Sequence, residues 1–140
     1  MHIQYNQQIQ PRNLEEIKKH LLPWLWLVPA WAGWFYVNLW DNKKEDDLYA
    51  CTVVEMDYRR ISLDFYTAWL DQTDELKEAL VVHELCHAHL SVVANFARKI
   101  VDDLCPETEA PKFHKHLRDT ITEKCEGSVQ DLARILTNRL

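Results

Sequence analysis

The sequence is poor in glycine and carries no excess of basic charge. Its 140 residues contain only two Gly and five Pro, which excludes a low-complexity linker and a collagen-like repeat. Sixteen Lys and Arg stand against 22 Asp and Glu, so the formal net charge is −6 with His neutral. That balance argues against tight, sequence-independent DNA binding, which needs a basic face. With 47% hydrophobic and 27% charged residues, 1–140 has the composition of a single globular domain.

The signals of secretion and of membrane insertion are also missing. The first six residues show neither a basic n-region nor an apolar h-region. The four cysteines have no CxxC spacing, so we expect free thiols in a reducing, cytoplasmic compartment. The uncharged run 21–40 has the length of a membrane span, but it holds two Pro and five of the six Trp, which are spread along it. We expect this run to form a Trp-rich core or a binding wall.

The pattern of apolar residues predicts an α+β fold, with a three-stranded sheet between a short N-terminal helix and two long helices. Asn13 and Glu16 have the spacing of a capping box, and Pro23 ends the helix that follows. We interpret the polar run 41–47 as a hairpin loop and 57–58 as a tight turn. The expected elements are a helix over 13–22, strands over 31–40, 48–56 and 59–69, and helices over about 75–104 and 113–136.

The first long helix is expected to bury one face. Apolar and histidine side chains recur along it every three or four residues, which is the spacing of an amphipathic helix. The predicted buried stripe consists of Leu76, Ala79, Leu80, His83, His87, Leu90, Ala94, Ala97 and Val101. Two buried imidazoles without partners would cost free energy, so the stripe favours a bound metal over two core histidines.

His83, Glu84 and His87 form an HExxH motif well inside this helix. Side chains at positions i and i+4 point roughly 40° apart, so both imidazoles can bind one zinc ion. Glu84 lies on the same side, about 60° from His87, and can reach a water on the metal without being a ligand. The spacing therefore predicts two zinc ligands, His83 and His87, and a general base, Glu84.

With this motif, the chain resembles the zincin metallopeptidases over roughly residues 45 to 136. The resemblance implies a small antiparallel or mixed sheet over an active-site helix, and a bound zinc that polarises a peptide carbonyl. The sequence departs from the metzincin branch, which would need Gly and His where this chain has Leu90 and Val93. His89 cannot replace that ligand, because it lies roughly 200° around the helix from His87. We interpret His89 as a surface or supporting residue.

The third zinc ligand has to come from elsewhere, because a catalytic zinc takes three protein ligands and one water. In the gluzincin branch, a Glu from the next helix supplies it, and the segment after Lys124 resembles that helix. Within the predicted helix, Glu126 lies at the edge of the apolar stripe, whereas Glu123 points to the polar side. Burial therefore favours Glu126 as the ligand that completes the site of His83 and His87.

Glu109, His114 and His116 stay open as alternatives for the third ligand. The segment before Pro111 is similar to one in SprT-like proteases, which cut protein crosslinked to DNA. Those proteases usually carry a His two residues before this Pro, and here the position is Glu109. Because of this departure and the net charge of −6, the SprT-like resemblance is the second choice.

Together these residues predict a zinc-dependent peptidase that acts on a peptide or protein, with no nucleic-acid or membrane partner. Glu84 would take a proton from the zinc-bound water and later pass it to the leaving amine. The third predicted strand, 59–69, would offer an edge to an extended peptide. Two alternatives stay open: a zincin-like module that binds metal for interaction or structure, and the SprT-like crosslink protease.

Overall fold

Four short strands form one mixed sheet, and helices cover one of its faces. A computed structural model describes residues 1–42 and 47–137. The elements in chain order are β1 (His2–Tyr5), α1 (Pro11–Leu21), β2 (Trp34–Trp40), β3 (Ala50–Glu55), β4 (Arg60–Tyr66), α2 (Thr67–Leu70), α3 (Asp74–Leu104) and α4 (Pro111–Leu136). The predicted α+β fold with two long C-terminal helices is confirmed.

The sheet has one strand more than predicted. Its order is β1-β2-β4-β3, with β1, β2 and β4 parallel and β3 antiparallel to β4. β1 has only four residues, too few to show an alternating pattern in the sequence. The predicted hairpin at 41–47 is wrong, because β4 lies between β2 and β3. Of that run, 43–46 lie outside the described residues.

The strand predicted over 59–69 lies in the middle of the sheet and not at an edge. β4 pairs with β2 on one side and with β3 on the other, and it ends at Tyr66. The chain then turns into α2, which places Trp69 fully inside the core. β4 therefore offers no edge to an extended peptide, and that prediction is wrong. β3 is an edge strand, since it pairs only with β4 among the described strands.

The β3–β4 hairpin sets which side chains enter the core. A 3-10 turn over Met56–Tyr58 confirms the predicted turn, and Arg59 closes it with a left-handed φ of 51°. Because side chains alternate along a strand, Ile61, Leu63 and Phe65 then point to one face, where all three are fully buried. The other face of the sheet stays partly exposed along its length.

The N-terminal helix starts earlier than its sequence signals indicate. Pro11 is the first residue of α1, and Gln10 before it makes no side-chain capping hydrogen bond. Proline suits this position because its missing N–H would have no partner in the first turn. The predicted capping box at Asn13 is therefore wrong. The predicted end before Pro23 is confirmed, since α1 ends at Leu21 and a 3-10 helix over Leu22–Leu27 follows.

Helix α3 packs against the sheet on one side and against α4 on the other. Its deepest apolar residues, including Val81, Val82 and Ala88, belong to the core shared with the sheet. The predicted buried stripe lies instead on the side shared with α4, where Leu76 keeps 39% of its surface exposed. That prediction holds for Ala94, which is buried, and in part for Leu80 and Leu90, which pack against the core. It misses the deepest face, because a helix with two packing partners has a wider apolar surface than one stripe.

Helix α4 runs antiparallel to α3 and forms a long helical hairpin with it. Arg98 on α3 donates to Thr122 on α4 at 3.1 Å, and Arg118 on α4 pairs with Asp102 on α3 at 2.7 Å. These cross-links fix the register of the two helices along their outer half. The same register places the middle of α4 opposite the HExxH turns of α3.

The tryptophan-rich run 21–40 does not form a tryptophan core. All five of its Trp side chains are partly or largely exposed, and the one fully buried tryptophan of the chain is Trp69. Strand β2 takes up the second half of this run, and the 3-10 helix takes up part of the first half. Among the described residues, no helix combines the length and the apolar character that crossing a membrane requires.

Candidate metal centre

Two helices bring two imidazoles and one carboxylate together. His83 and His87 lie one turn apart on α3, and Glu126 comes from α4. The Nε2 atoms of His83 and His87 are 3.1 Å apart. Glu126 places Oε1 3.1 Å from Nε2 of His87 and Oε2 3.7 Å from Nε2 of His83. The structure thus joins the three residues predicted as zinc ligands in one group that could hold a metal ion.

The donor atoms of this group have the spacing of a tetrahedral coordination sphere. Zinc binds imidazole nitrogen and carboxylate oxygen at about 2.0–2.2 Å, which sets neighbouring ligand atoms about 3.4 Å apart. The measured separations run from 3.1 to 3.7 Å. Two His and one Glu also leave a fourth position for water or substrate, as catalytic zinc sites do. The residues present therefore fit a zinc ion.

Both imidazoles are partly buried, and the surroundings of His83 favour its form able to bind metal. Their side chains keep 21% and 18% of their surface exposed. Burial and the neighbouring His87 lower the pKa of His83, against the opposing pull of the Glu126 carboxylate. Neutral imidazole is the form that binds metal. The side chain of Gln130, one turn beyond Glu126 on α4, also opposes the lowering of the His83 pKa.

Glu84 has a different environment from Glu126 and lies outside the ligand group. Only 8% of Glu84 is exposed, whereas the Glu126 side chain is 53% exposed. Burial raises the pKa of Glu84 to about 7, with hydrogen bonds from Thr52 opposing the rise and the charge of Glu126 adding to it. Thr52 on β3 also donates to the Glu84 backbone carbonyl at 2.8 Å. The two carboxylates beside the histidines are thus suited to different tasks.

A cavity of about 510 Å³ opens beside His83, and Glu84 also lines it. His83 and Glu84 both line it, together with the start of β3, the first turns of α3 and the end of α4. Its wall is largely apolar, and Gln130 and Arg134 add polar groups from α4. The predicted base and one predicted ligand therefore face the same space.

The structure does not bring the alternative ligands into this group. Glu109 lies in the connection between α3 and α4, about 25 Å along the helix beyond His87, and His114 hydrogen-bonds the Cys105 carbonyl at that same far end. His116 lies near it on α4, and Glu123 is 78% exposed beside Lys124. The sequence alone does not exclude ligands from this connection, because it does not show how far the straight helix α3 separates the connection from the histidines. His89 points away from the group and hydrogen-bonds the Leu27 carbonyl, as expected for a supporting residue.

The sequence did not reveal two residues of the site, Gln130 and Thr52, or a second group of possible metal ligands elsewhere in the molecule. Gln130 stands four residues after Glu126, and that i, i+4 spacing was the available signal. Thr52 gave no signal, because nothing in a strand pattern shows which residue of a helix it contacts. The third is a second group that could hold a metal by spacing alone: Glu16, His20 and Asp74, where Glu16 and His20 are also four residues apart.

The carboxylates of the second group form ion pairs with two lysine side chains of the protein. Lys77 Nζ lies 2.8 Å from Glu16 Oε1, and Lys19 Nζ lies 2.9 Å from Asp74 Oδ2. His20 Nε2 lies 3.2 Å from Glu16 and 3.3 Å from Asp74. Because these carboxylates already have cations, the group joins α1 to the start of α3 as an ion-pair network.

No protein-family model, curated protein or solved structure matches this chain in the comparisons with known proteins.

Proposed function

We propose that this chain is a zinc-dependent peptidase whose site is formed by His83, His87, Glu126 and Glu84. The observation that carries the proposal is the meeting of two imidazole nitrogens and one carboxylate, with contacts of 3.1–3.7 Å, beside a cavity that a buried carboxylate also lines. Among the described residues, Glu126 forms ion pairs only with the two histidines. A divalent cation bound between them would supply a positive charge to this group.

Each residue has a separate role in this proposal. His83, His87 and Glu126 would hold the ion, and Gln130 lines the cavity next to His83. Zinc bound there would act as a Lewis acid toward a water molecule and a peptide carbonyl. Glu84 accepts a proton from the attacking water and returns it to the leaving amine, which keeps proton transfer inside the cavity. Thr52 holds the turn that carries Glu84 through its hydrogen bond to the backbone carbonyl.

The edge of the sheet beside this site suits an extended substrate. β3 pairs with β4 on one side only, and Ala50 at its start lines the cavity next to His83 and Glu84. An extended peptide could pair with the free side of β3 through backbone hydrogen bonds, as in strand addition. A peptide bound in this way would run past His83 and Glu84 without requiring a deep cleft.

The test combines zinc analysis with peptide hydrolysis. The purified chain is assayed for bound zinc by mass spectrometry and for turnover of a library of fluorogenic peptides, with and without chelator. Glu84→Gln keeps the shape of the side chain but removes its ability to accept a proton. We expect zinc content near that of wild type and a fall in turnover of at least about 100-fold.

The outcomes separate the peptidase from its rivals. Turnover that is absent in the wild type, with zinc bound, would favour the module that binds metal for interaction or structure. Equal loss of zinc and of turnover in Glu84→Gln would contradict the role of base. Glu75→Gln is the matched control, because Glu75 lies on an exposed first turn of the same helix.

A further inference from the structure

The face of the sheet that points away from the helices carries a row of aromatic side chains. We call it the open face and define it by the outward residues of the four strands, with Trp34, Tyr36, Asn38 and Trp40 along β2. Trp34 and Trp40 are each 44% exposed, and Tyr36 and Asn38 are partly exposed. A solvated sheet face usually carries small polar or charged side chains, so exposed tryptophans at this density are unusual.

The rings of the open face are arranged as a surface for stacking. Trp34 and Tyr36 have nearly parallel planes, 14° apart, with ring centroids at 6.3 Å. His2 on β1 extends the row, with its ring centroid 4.9 Å from that of Trp34. Trp40 lies at the other end of the seven-residue strand β2, about 20 Å from Trp34. Two aromatic contact points at that separation match a short linear oligomer.

Between the rings lies a set of amide and carboxylate groups. Asn38 Nδ2 donates to Asp64 Oδ1 on β4 at 2.7 Å, and Asn6 Nδ2 donates to Asn38 Oδ1 at 3.3 Å. The chain of hydrogen bonds holds the Asp64 carboxylate in place at the centre of the face. A carboxylate oxygen accepts up to two hydrogen bonds, so it suits ligand hydroxyl groups.

The charges of the open face exclude a polyanion as its ligand. Its charged residues on the four strands are Glu55, Arg60 and Asp64, and Arg60 forms an ion pair with Glu55. The Arg60 guanidinium also lies over the rings of Tyr36 and Tyr58, at 5.7 and 5.5 Å from their centroids. Nucleic acid needs Lys and Arg for its phosphates, whereas this face has a net formal charge of about −1. A neutral ligand rich in hydroxyl groups fits both the rings and the carboxylate.

We propose that the open face binds a neutral oligosaccharide, with sugar rings stacked on Trp34 and Trp40 and hydroxyl groups bound by Asn38 and Asp64. The apolar C–H face of a pyranose ring matches the π-face of an indole, and its rim of hydroxyls matches amide and carboxylate acceptors. This site lies across the sheet from α3, so it is separate from the proposed metal centre. Its occupation does not depend on zinc or on peptidase activity.

The test is calorimetric titration of the full chain with cellohexaose, xylohexaose, maltohexaose and chitohexaose. We expect saturable binding of at least one of them. Trp34→Ala and Trp40→Ala should each weaken binding about 5- to 150-fold, if a sugar stacked on an indole loses as much as a nucleic-acid base does, about 1–3 kcal/mol per ring. Trp26→Ala is the matched control, because Trp26 is 67% exposed on the 3-10 helix outside this face, and it should leave affinity unchanged.

A further variant tests the site even if the tryptophan variants do not fold. Asn38→Ala keeps every ring and should still weaken binding, while circular dichroism checks the fold. The proposal is overturned if none of the four hexasaccharides binds, or if Trp34→Ala, Trp40→Ala and Asn38→Ala all bind as wild type does. Binding of oligo(dT) in place of the sugars, or a dimer in solution that Trp34→Ala dissociates, would also overturn it.

Discussion

Two groups of side chains in this molecule each bring histidine and carboxylate donors together from two helices, but their electrostatics are opposite. Each contains an i, i+4 pair on one helix. In the first, two histidines, His83 and His87, meet the single carboxylate of Glu126. In the second, one histidine lies beside two carboxylates, and Lys77 and Lys19 lie 2.8 and 2.9 Å from Glu16 and Asp74. The carboxylates of the second group pair with lysines of the chain, whereas among the described residues Glu126 in the first group pairs only with the two histidines.

The comparison shows that spacing alone does not define a metal site. Ligand atoms within 4.8 Å of one another occur in both groups. A divalent ion near the second group would meet two ammonium charges, one of them on Lys77, whose side chain is only 8% exposed. Repulsion between like charges is strong where water is largely excluded. We therefore expect the first group to bind a metal ion and the second group not to bind one.

The largest expected effect is loss of the metal itself. His83→Ala or His87→Ala should reduce bound zinc from about one per molecule to almost none, because two remaining ligands make a poor site. His20→Ala removes the corresponding imidazole of the second group and should leave zinc content unchanged. Native mass spectrometry after incubation with zinc measures both. Equal zinc in His83→Ala and wild type, or loss of zinc in His20→Ala, would remove the distinction between the groups.

The next effect concerns the carboxylate that completes the first group. Glu126→Ala should lower zinc affinity by more than the 10- to 100-fold that is typical of a residue behind the ligands. Glu123→Ala is the control on the same helix, since its side chain is 78% exposed and points away. Chelator competition compares the two variants, with Glu109→Ala beside them. If Glu109→Ala loses zinc and Glu126→Ala does not, the ligand set is wrong.

The positions of His83, Glu84 and His87 could be predicted because their geometry is local to one helix. HExxH spacing decides where two imidazoles and one carboxylate point on a helix, whatever the rest of the chain does. Glu126 was predicted from burial at the edge of an apolar stripe; its side chain is instead 53% exposed, although α4 brings it within 3.1 Å of His87. Helix type and periodicity were also enough for the α+β class and for the long helices α3 and α4.

What failed depends on contacts between distant parts of the chain. β1 is too short to be recognised without its partner β2, and the order β1-β2-β4-β3 follows from pairing that no local pattern encodes. The buried face of α3 was misplaced because the sequence does not show that two different surfaces pack on it. The second group was missed for the same reason, since Glu16 and Lys77 are 61 residues apart.

A smaller effect on the stability of the protein is expected when an ion pair of the second group is removed. Glu16→Gln leaves the buried Lys77 ammonium without its ion pair, and a hydrogen bond to a charged group is worth about 1.5–3 kcal/mol. The free energy of unfolding should fall by about 2 kcal/mol, with zinc content unchanged. Glu15→Gln, at the exposed neighbouring position, should change it by less than about 0.5 kcal/mol. Urea titration measures both.

A double variant shows whether the unpaired ammonium causes this loss. Lys77→Met keeps most of the side-chain volume but removes the charge. Combined with Glu16→Gln, it should restore part of the lost stability, because a buried pair replaced by apolar groups is often neutral. Some loss should remain, since the Lys77 ammonium also lies 5.5 Å from the centroid of the Trp69 ring. A double variant less stable than Glu16→Gln alone would contradict this explanation.

The smallest effect is on the pH dependence of stability. The hydrogen bond from Lys77 holds the pKa of Glu16 below its ordinary value of 4.5, so the unfolded chain binds this proton more readily than the folded one. The stabilisation from Glu16 is therefore complete above about pH 5 and is lost as the pH falls through the folded-state pKa. The difference in unfolding free energy between wild type and Glu16→Gln should shrink over that range. Urea titrations between about pH 3 and pH 7 measure it. A constant difference would show that the ion pair does not lower the pKa of Glu16, and a difference that grows toward low pH would show that folding favours its neutral form. Either result would contradict the ion-pair description of the second group.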